Sequence, residues 1–195
     1  MPTIRTLNSD AITPFITDLA SLRITVFREF PYLYDGDLAY ERDYLSHYAA
    51  ATDSIVVLAL ENDRIIGAST GLPLQHADAG FRAPFGNHSP PVGSVFYFGE
   101  SVLLPQFRGR GLGHSFFDAR ESHARSLGRF SHTAFCAVDR PPDHPHRPSG
   151  YRDLDQFWRK RGYHRCPGLQ ATFPWKEIGS VGEVENTLTF YLHEL

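Results

Sequence analysis

The passage from Ser94 to Gly128, "SVFYFGESVLLPQFRGRGLGHSFFDARESHARSLG", limits the fold more than any other part of the chain. A long apolar run ends at Pro105, which cannot donate to a strand ladder. Three glycines and two arginines then fill Arg108 to Gly113. Leu112, Phe116, Ala119 and Leu127 follow on one helical face, and Gly128 is a natural C-terminal stop. The pattern predicts a strand, a glycine loop and a helix in direct succession. The first N–H groups of such a helix have no intrahelical partner, and its dipole favours negative charge. A flexible basic loop at that end is therefore a candidate anion site.

The remaining segments read in turn. "TIRTL" is a short strand, Ala11 to about Phe30 carries helical periodicity, and "LAYERDYLSHYAA" is a second helix. "SIVVLAL" and "RIIGAST" flank the turn "END" as a hairpin. "FRAPFGNHSPPVG" reads as loop, "HTAFCAV" as strand and "DRPPDHPHRPSG" as loop. "YRDLDQFWRKRGY" is a helix with Leu154, Phe157 and Trp158 on one face and Gly162 as its cap, and "LQATFPW" and "TLTFYLHEL" are the last strands. The order is one strand, two helices, three strands, helix, strand, helix and two strands. That is a mixed α/β order without an internal repeat or a linker, so residues 1–195 are expected to form one domain.

A net charge of -3 excludes the clear basic excess of a general nucleic-acid binder, and "RGRG" is too narrow to replace it. No run approaches the ~18 apolar residues of a membrane span. The segment "MPTIRTLNSD" lacks the apolar core of a signal peptide, and Cys136 and Cys166 lack metal-ligand spacing. A cytoplasmic protein with reduced thiols is expected. "DHPHRP" places Asp143, His144 and His146 together, but histidines between prolines are ordinary exposed loop, and no metal is expected. His123 falls within the apolar helical face, as a hydrogen-bonded core histidine does.

Three phosphate-loop patterns compete for "RGRGLG". A nucleoside-triphosphate loop needs Lys followed by Ser or Thr where Leu112, Gly113 and His114 stand. A dinucleotide fingerprint needs wider glycine spacing near a strand–helix–strand start. Arg108-x-x-Gly111-x-Gly113 instead resembles the Gln/Arg-x-x-Gly-x-Gly/Ala acyl-CoA motif of the GNAT N-acetyltransferase superfamily. "SVLLPQFRGRGLG" is similar to that family's fourth strand, proline and pyrophosphate loop, and "FWRKRGY" to the aromatic end of its later helix. The element order agrees along essentially the whole chain.

The resemblance implies a central mixed, mostly antiparallel twisted sheet flanked by helices, and acetyl-CoA or CoA as co-substrate. Arg108, Gly109, Arg110, Gly111, Leu112, Gly113 and His114 would bind the phosphates, and the main chain of Leu103 and Leu104 would pair with the pantetheine amides like another strand. Glycines allow close approach, and arginines add charged donors. The family's activity is acetyl transfer to an amine, which needs a base, an oxyanion donor and an acid for the departing thiolate.

Glu100 is the one carboxylate in an apolar strand, where an unpaired charge is costly, and family members often carry an acidic residue on this strand. Simple alternation from Leu103 puts Tyr97 rather than Glu100 on the face where some members place it; a bulge at Gly99 would restore Glu100. Trp158 stands where many members have a tyrosine, and an indole has no dissociable proton for sulfur, so Tyr151, Tyr97 and solvent are the candidate acids. The acceptor is expected to be a small primary amine. "EFPYLYDGDLAYERDY" combines Tyr32, Tyr34, Tyr40 and Tyr44 with Asp35, Asp37 and Glu41 where the family commonly lines its acceptor side, and aromatic faces attract cations. Arg140, Arg147 and Arg152 could equally recognise a carboxylate on the acceptor. The resemblance leaves a homodimer open, as well as a second reading as a non-catalytic acyl-CoA-binding sensor or interaction domain.

Overall fold

A computed structural model describes residues 2–195. Seven strands form one sheet in the order β1-β2-β3-β4-β5-β7-β6: β1 (Thr3–Leu7), β2 (Ile55–Glu61), β3 (Arg64–Pro73), β4 (Val95–Leu103), β5 (His132–Val138), β6 (His164–Lys176) and β7 (Glu183–Glu194). Neighbours are antiparallel except β4 and β5, which are parallel. This is the mixed, mostly antiparallel sheet that the resemblance implies. The hairpin between β2 and β3 turns on Asn62 and Asp63, both at positive φ (49° and 60°), a backbone state these two residue types tolerate best after glycine.

The helices are α1 (Ile16–Phe27), α2 (Leu38–Ala50), α3 (Ala79–Arg82), α4 (Leu112–Ser126) and α5 (Asp155–Lys160). Three expectations are corrected. The first helix starts late because Ser9–Phe15, which contains Pro14, is a 3-10 segment. The proline-rich stretch after Phe81 contains 3-10 turns and the end of α3 rather than loop alone. The segment after Tyr151 is helical only over Asp155–Lys160, and Gly162 at φ 88° ends it as expected. Asp37 caps α2 by accepting from the Tyr40 N–H at 2.9 Å.

The sheet separates two cores. Leu19, Leu22, Leu45 and Tyr48 from α1 and α2 pack with Val56, Leu58, Tyr97 and Val102 on one face. Phe116, Phe117 and Ala124 from α4 pack with Val57, Phe96, Phe98 and Phe135 on the other. Strand β4 is thus buried on both sides. Along β3 and β4, Ser69 pairs with Ser101 and Gly71 with Phe98, so Thr70 alone faces Gly99 and Glu100. The extra residue is a β-bulge.

Glycine at 99 is a matter of space. A Cβ there would lie 2.0 Å from the Tyr48 hydroxyl and 2.6 Å from Thr70 Oγ1. We expect Gly99→Ala to lower stability by roughly 1–3 kcal/mol, the usual cost of overpacking a filled core. Urea midpoints of the two proteins measure it; equal midpoints would mean that the strand yields freely.

Candidate active site

The candidate anion-binding end follows from the backbone. Gly109 and Gly111 sit at φ 75° and 82°, with open space where a Cβ would project, so conformation rather than crowding selects glycine at both. Gly111 is the N-cap of α4 and offers no side-chain cap. The amides of Gly111, Leu112 and Gly113 have no backbone carbonyl partner among the described residues, whereas the His114 amide donates to the Gly111 carbonyl at 2.9 Å. Three adjacent N–H groups at a helix start are a ready seat for phosphate oxygens.

The rest of the expected loop is more occupied. Arg108 donates from Nε to the Leu103 carbonyl (3.0 Å) and from Nη1 to Glu29 (2.8 Å). Arg110 donates to the Gln106 carbonyl and lies over the Phe107 ring. The His114 ring meets Phe157 edge-on, with Nδ1 3.2 Å from Arg161 Nη1. Gly113 is helical, and a Cβ there would make only ordinary contact with Phe157 at 3.7 Å, so the chain's own packing does not demand glycine at this position.

Beside this loop the sheet opens. Strands β4 and β5 pair only through Val95–Tyr97 and His132–Ala134. From Phe98 onward the β5-facing edge of β4 has no strand partner among the described residues. The expectation that Leu103 and Leu104 together present main-chain groups to that opening is corrected at Leu104. Its N–H already donates to the Ile66 carbonyl of β3 at 3.0 Å, because successive residues of a strand direct their amides to opposite sides.

The bulge settles the alternation on β4. Tyr97, Glu100 and Val102 share the α1–α2 face, while Phe98, Ser101 and Leu103 lie toward α4. Leu103 and Tyr97 therefore do not share a face, contrary to unbroken alternation. Glu100 is 8% exposed. Its Oε2 lies 2.6 Å from Arg23 Nη1, without the alignment of a hydrogen bond, and accepts from the Tyr44 hydroxyl at 3.3 Å. Both contacts fall on Oε2, leaving Oε1 outside this pairing. Arg23 Nε donates to Glu41, which is also buried. Burial works against the Arg23 charge, yet Glu100, Tyr44 and Glu41 outweigh it and hold the guanidinium well above its ordinary range. The Tyr44 and Tyr48 hydroxyls are 3.0 Å apart, and burial, then the Glu100 charge, raises both of their pKa values.

The tyrosine candidates part company. Tyr97 is 1% exposed, with its hydroxyl 3.3 Å from Cys136 Sγ and its ring between Phe81 and Phe190. Burial keeps this phenol protonated, and raises the Cys136 thiol to about 12, so the thiol is a packing group. Tyr151 is half-buried, edge-on to Phe30 and under the Arg147 guanidinium. Trp158 packs on Phe135 and Tyr191. Tyr32 is held between Phe27 and Trp175, and burial first, then Cys136, raises its pKa.

Asp35 is corrected as an acceptor-side residue. Its carboxylate pairs with Lys176 (2.8 Å) and Arg28 (3.3 Å) at the surface, and Lys176 chiefly holds its pKa low. Burial, then the Glu41 charge, raises the Tyr34 pKa. Arg140 is no free recognition group either: it donates to the Pro31 and Tyr32 carbonyls and pairs with Glu177 at 2.6 Å. His144 lies on Phe30 and accepts from the His146 N–H, and no group of three or more His, Cys, Asp or Glu suits a metal among the described residues. The His123 ring bonds to the Asp53 carbonyl at 2.8 Å, half-buried as its helical position predicts.

Sequence reasoning missed Arg23 and Arg120, and it placed Glu41 and Tyr44 in the acceptor-side segment without the buried arginine that they meet. The signal was there: Arg23 interrupts the stripe of Leu19 and Leu22, Glu41 that of Leu45 and Tyr48, and Arg120 that of Phe116 and Ala124. A charge at a core position of a helix requires a buried partner.

Among the described residues, no helix is long and apolar enough to cross a membrane. No curated protein sequence matches the chain. Solved structures do match in fold. A ribosomal-protein-alanine N-acetyltransferase from Brucella melitensis aligns at TM-score 0.61 and 14% identity over 99% of each chain. YncA of Salmonella typhimurium, solved with its cofactor acetyl-CoA, aligns at 0.58 and 15% over 100% of this chain and 94% of its own. An acetyltransferase from Thermus thermophilus aligns at 0.57 and 14% over 100% and 97%. The family description "Acetyltransferase (GNAT) family" fits residues 19–148, a span that runs from α1 through the opened sheet and the glycine loop to the loop after β5. The chain belongs to the GNAT acetyltransferase family.

Proposed function

We propose that this chain transfers an acetyl group from acetyl-CoA to the primary amine of a small molecule, by direct attack within a ternary complex. The observation that carries this reading is the placement of Glu100: a buried carboxylate on the β4 bulge, at the mouth of the β4–β5 opening, with the open α4 amides beyond it. The family and fold support the transferase class. Acetyl-CoA supplies the activated acetyl group. The amides of Gly111, Leu112 and Gly113 would hold its phosphates, and the unpaired edge of β4, including Leu103, would align the arm that leads to the thioester.

Glu100 is the proposed base, directly or through water. Arg23 and Tyr44 hold Oε2, which fixes the carboxylate and leaves Oε1 to take a proton. Glu41 and Glu100 against Arg23 leave one negative charge in excess within the buried cluster. That excess favours an acceptor arriving as a protonated amine. Tyr32 and Tyr44, rather than Tyr34 and Asp35, supply the aromatic side of the pocket. The proposed acid for the thiolate is Tyr151, since the Tyr97 hydroxyl is turned to Cys136.

CoA at ~100 times its dissociation constant should stabilise the protein by ~2.7 kcal/mol, a rise in Tm of roughly 5–10 °C, and Gly111→Val should abolish most of it. No shift at millimolar CoA would overturn the binding assignment. Glu100→Gln should keep this shift while lowering kcat by ~10²–10⁴-fold, with the pH dependence of kcat/KM losing a limb. An unchanged rate would remove Glu100 from the chemistry.

A panel of polyamines, amino acids and aryl amines tests the acceptor by CoA thiol release. Tyr32→Leu and Tyr44→Leu should raise the KM for the amine, and Asp35→Asn should match the wild type. Stabilisation by CoA without thiol release from any amine would favour the sensor reading. Acetylation of proteins alone would overturn the small-amine reading.

A further inference from the structure

We infer that Arg120 is a positioning residue for the proposed transfer: it locks the register of the β4 bulge and so sets where the Glu100 carboxylate and the Leu103 main chain stand. The inference rests on the acetyl-transfer reading for its consequence, but the lock itself is a property of the fold.

Arg120 lies in the middle of α4 and is 1% exposed. Its hydrogen-bond partners are all uncharged. Nη1 donates to the Thr70 and Glu100 carbonyls, each at 3.1 Å, Nη2 to Ser101 Oγ at 2.8 Å, and Nε to the Phe116 carbonyl of its own helix at 3.1 Å. The guanidinium also lies over the Phe98 and Phe117 rings, at 4.1 and 4.9 Å. Burial draws its pKa down to about 10, so it stays charged at neutral pH.

These partners coincide with the bulge. With two β4 residues opposite Thr70, the ladder lacks a regular donor there, and the carbonyls of Thr70 and Glu100 converge on one nitrogen. Ser101 supplies a third acceptor from the α4 face. A slip of one residue between Glu100 and Leu103 would reverse every face: Glu100 and Val102 would turn toward α4, and Ser101 and Leu103 toward α1. Arg120 would then lose the Glu100 carbonyl and the Ser101 hydroxyl together. Its contacts exist only in the register that faces Glu100 toward Arg23 and Tyr44. A lysine reaches one such acceptor but cannot fork between them.

The test uses Arg120→Lys, Arg120→Met and Ser101→Ala, the last at an exposed residue that should not threaten folding. Amide hydrogen exchange of a peptide spanning Phe98–Leu103 reads the lock without any activity. It should speed by about tenfold or more in the Arg120 variants and by less in Ser101→Ala, relative to a control peptide from β2. In steady-state assays kcat should fall about tenfold to a hundredfold for Arg120→Met, with the KM for acetyl-CoA changed less than about threefold. Arg120→Lys should recover part of that loss.

Exchange that rises equally in β2 and β4 would overturn the lock and leave a general core residue. Selective exchange on β4 with unchanged kcat would overturn the positioning role alone. Were the Arg120 variants to fail to fold, Ser101→Ala with wild-type exchange on β4 would overturn the proposal. A wild type that releases no thiol with any amine would defeat the transferase reading, and the exchange comparison would still decide the lock.

Discussion

Glu100 stands on the same side of the sheet as Tyr97 because two residues of β4, Gly99 and Glu100, face Thr70 alone. Without that extra residue the pleat would send Glu100 toward α4, away from Arg23 and Tyr44. The bulge fits only because position 99 has no side chain to meet Tyr48 and Thr70. Two arginines then address the same residue from opposite faces. Arg23 of α1 meets the Glu100 carboxylate, and Arg120 of α4 meets its carbonyl. Strand register and the seating of both helices specify one another.

Charge is distributed unevenly across that strand. On the α1 side one guanidinium serves two carboxylates, and on the α4 side another serves carbonyls, a hydroxyl and aromatic rings. Buried ions are tolerated only where geometry replaces the lost water, and taking one partner from such a cluster typically costs ~3–5 kcal/mol. Such a core accepts few substitutions. It also presents a carboxylate with one oxygen fixed and the other uncommitted, which is what a proton acceptor needs.

Periodicity made much of this architecture legible. "HTAFCAV" is β5 and "LAYERDYLSHYAA" is α2, residue for residue, and the glycine loop falls where α4 begins. Those segments are read well because a period of two or of 3.6 is a local property. The register of β4 is not. Gly99 marked where a bulge was permitted, but Tyr48 and Thr70, which make it necessary there, are distant in sequence. Asp35 shows the same limit in reverse: its type and place suited an amine pocket, and only the position of Lys176 shows that it faces outward. Residues 151–163 misled for a local reason. Their apolar spacing suits a helix, yet Trp158 and Phe157 are satisfied by six helical residues packed on the β5 side of the sheet.

The wall that carries Tyr32 is fastened by its backbone as well as by its side chains. The Pro31 and Tyr32 carbonyls accept from Arg140, the Tyr32 carbonyl also from Trp175, the Leu33 carbonyl from Ile178, and the Asp35 N–H donates to Lys176. Anchors of that kind do not depend on which side chains the wall displays. Side chains at 30 and 32 can therefore be exchanged with less harm to the path of the wall than its backbone bonds would suffer from a break. Side-chain identity and foldability are thereby less tightly coupled in this segment than at Glu100, where carboxylate and carbonyl are both held.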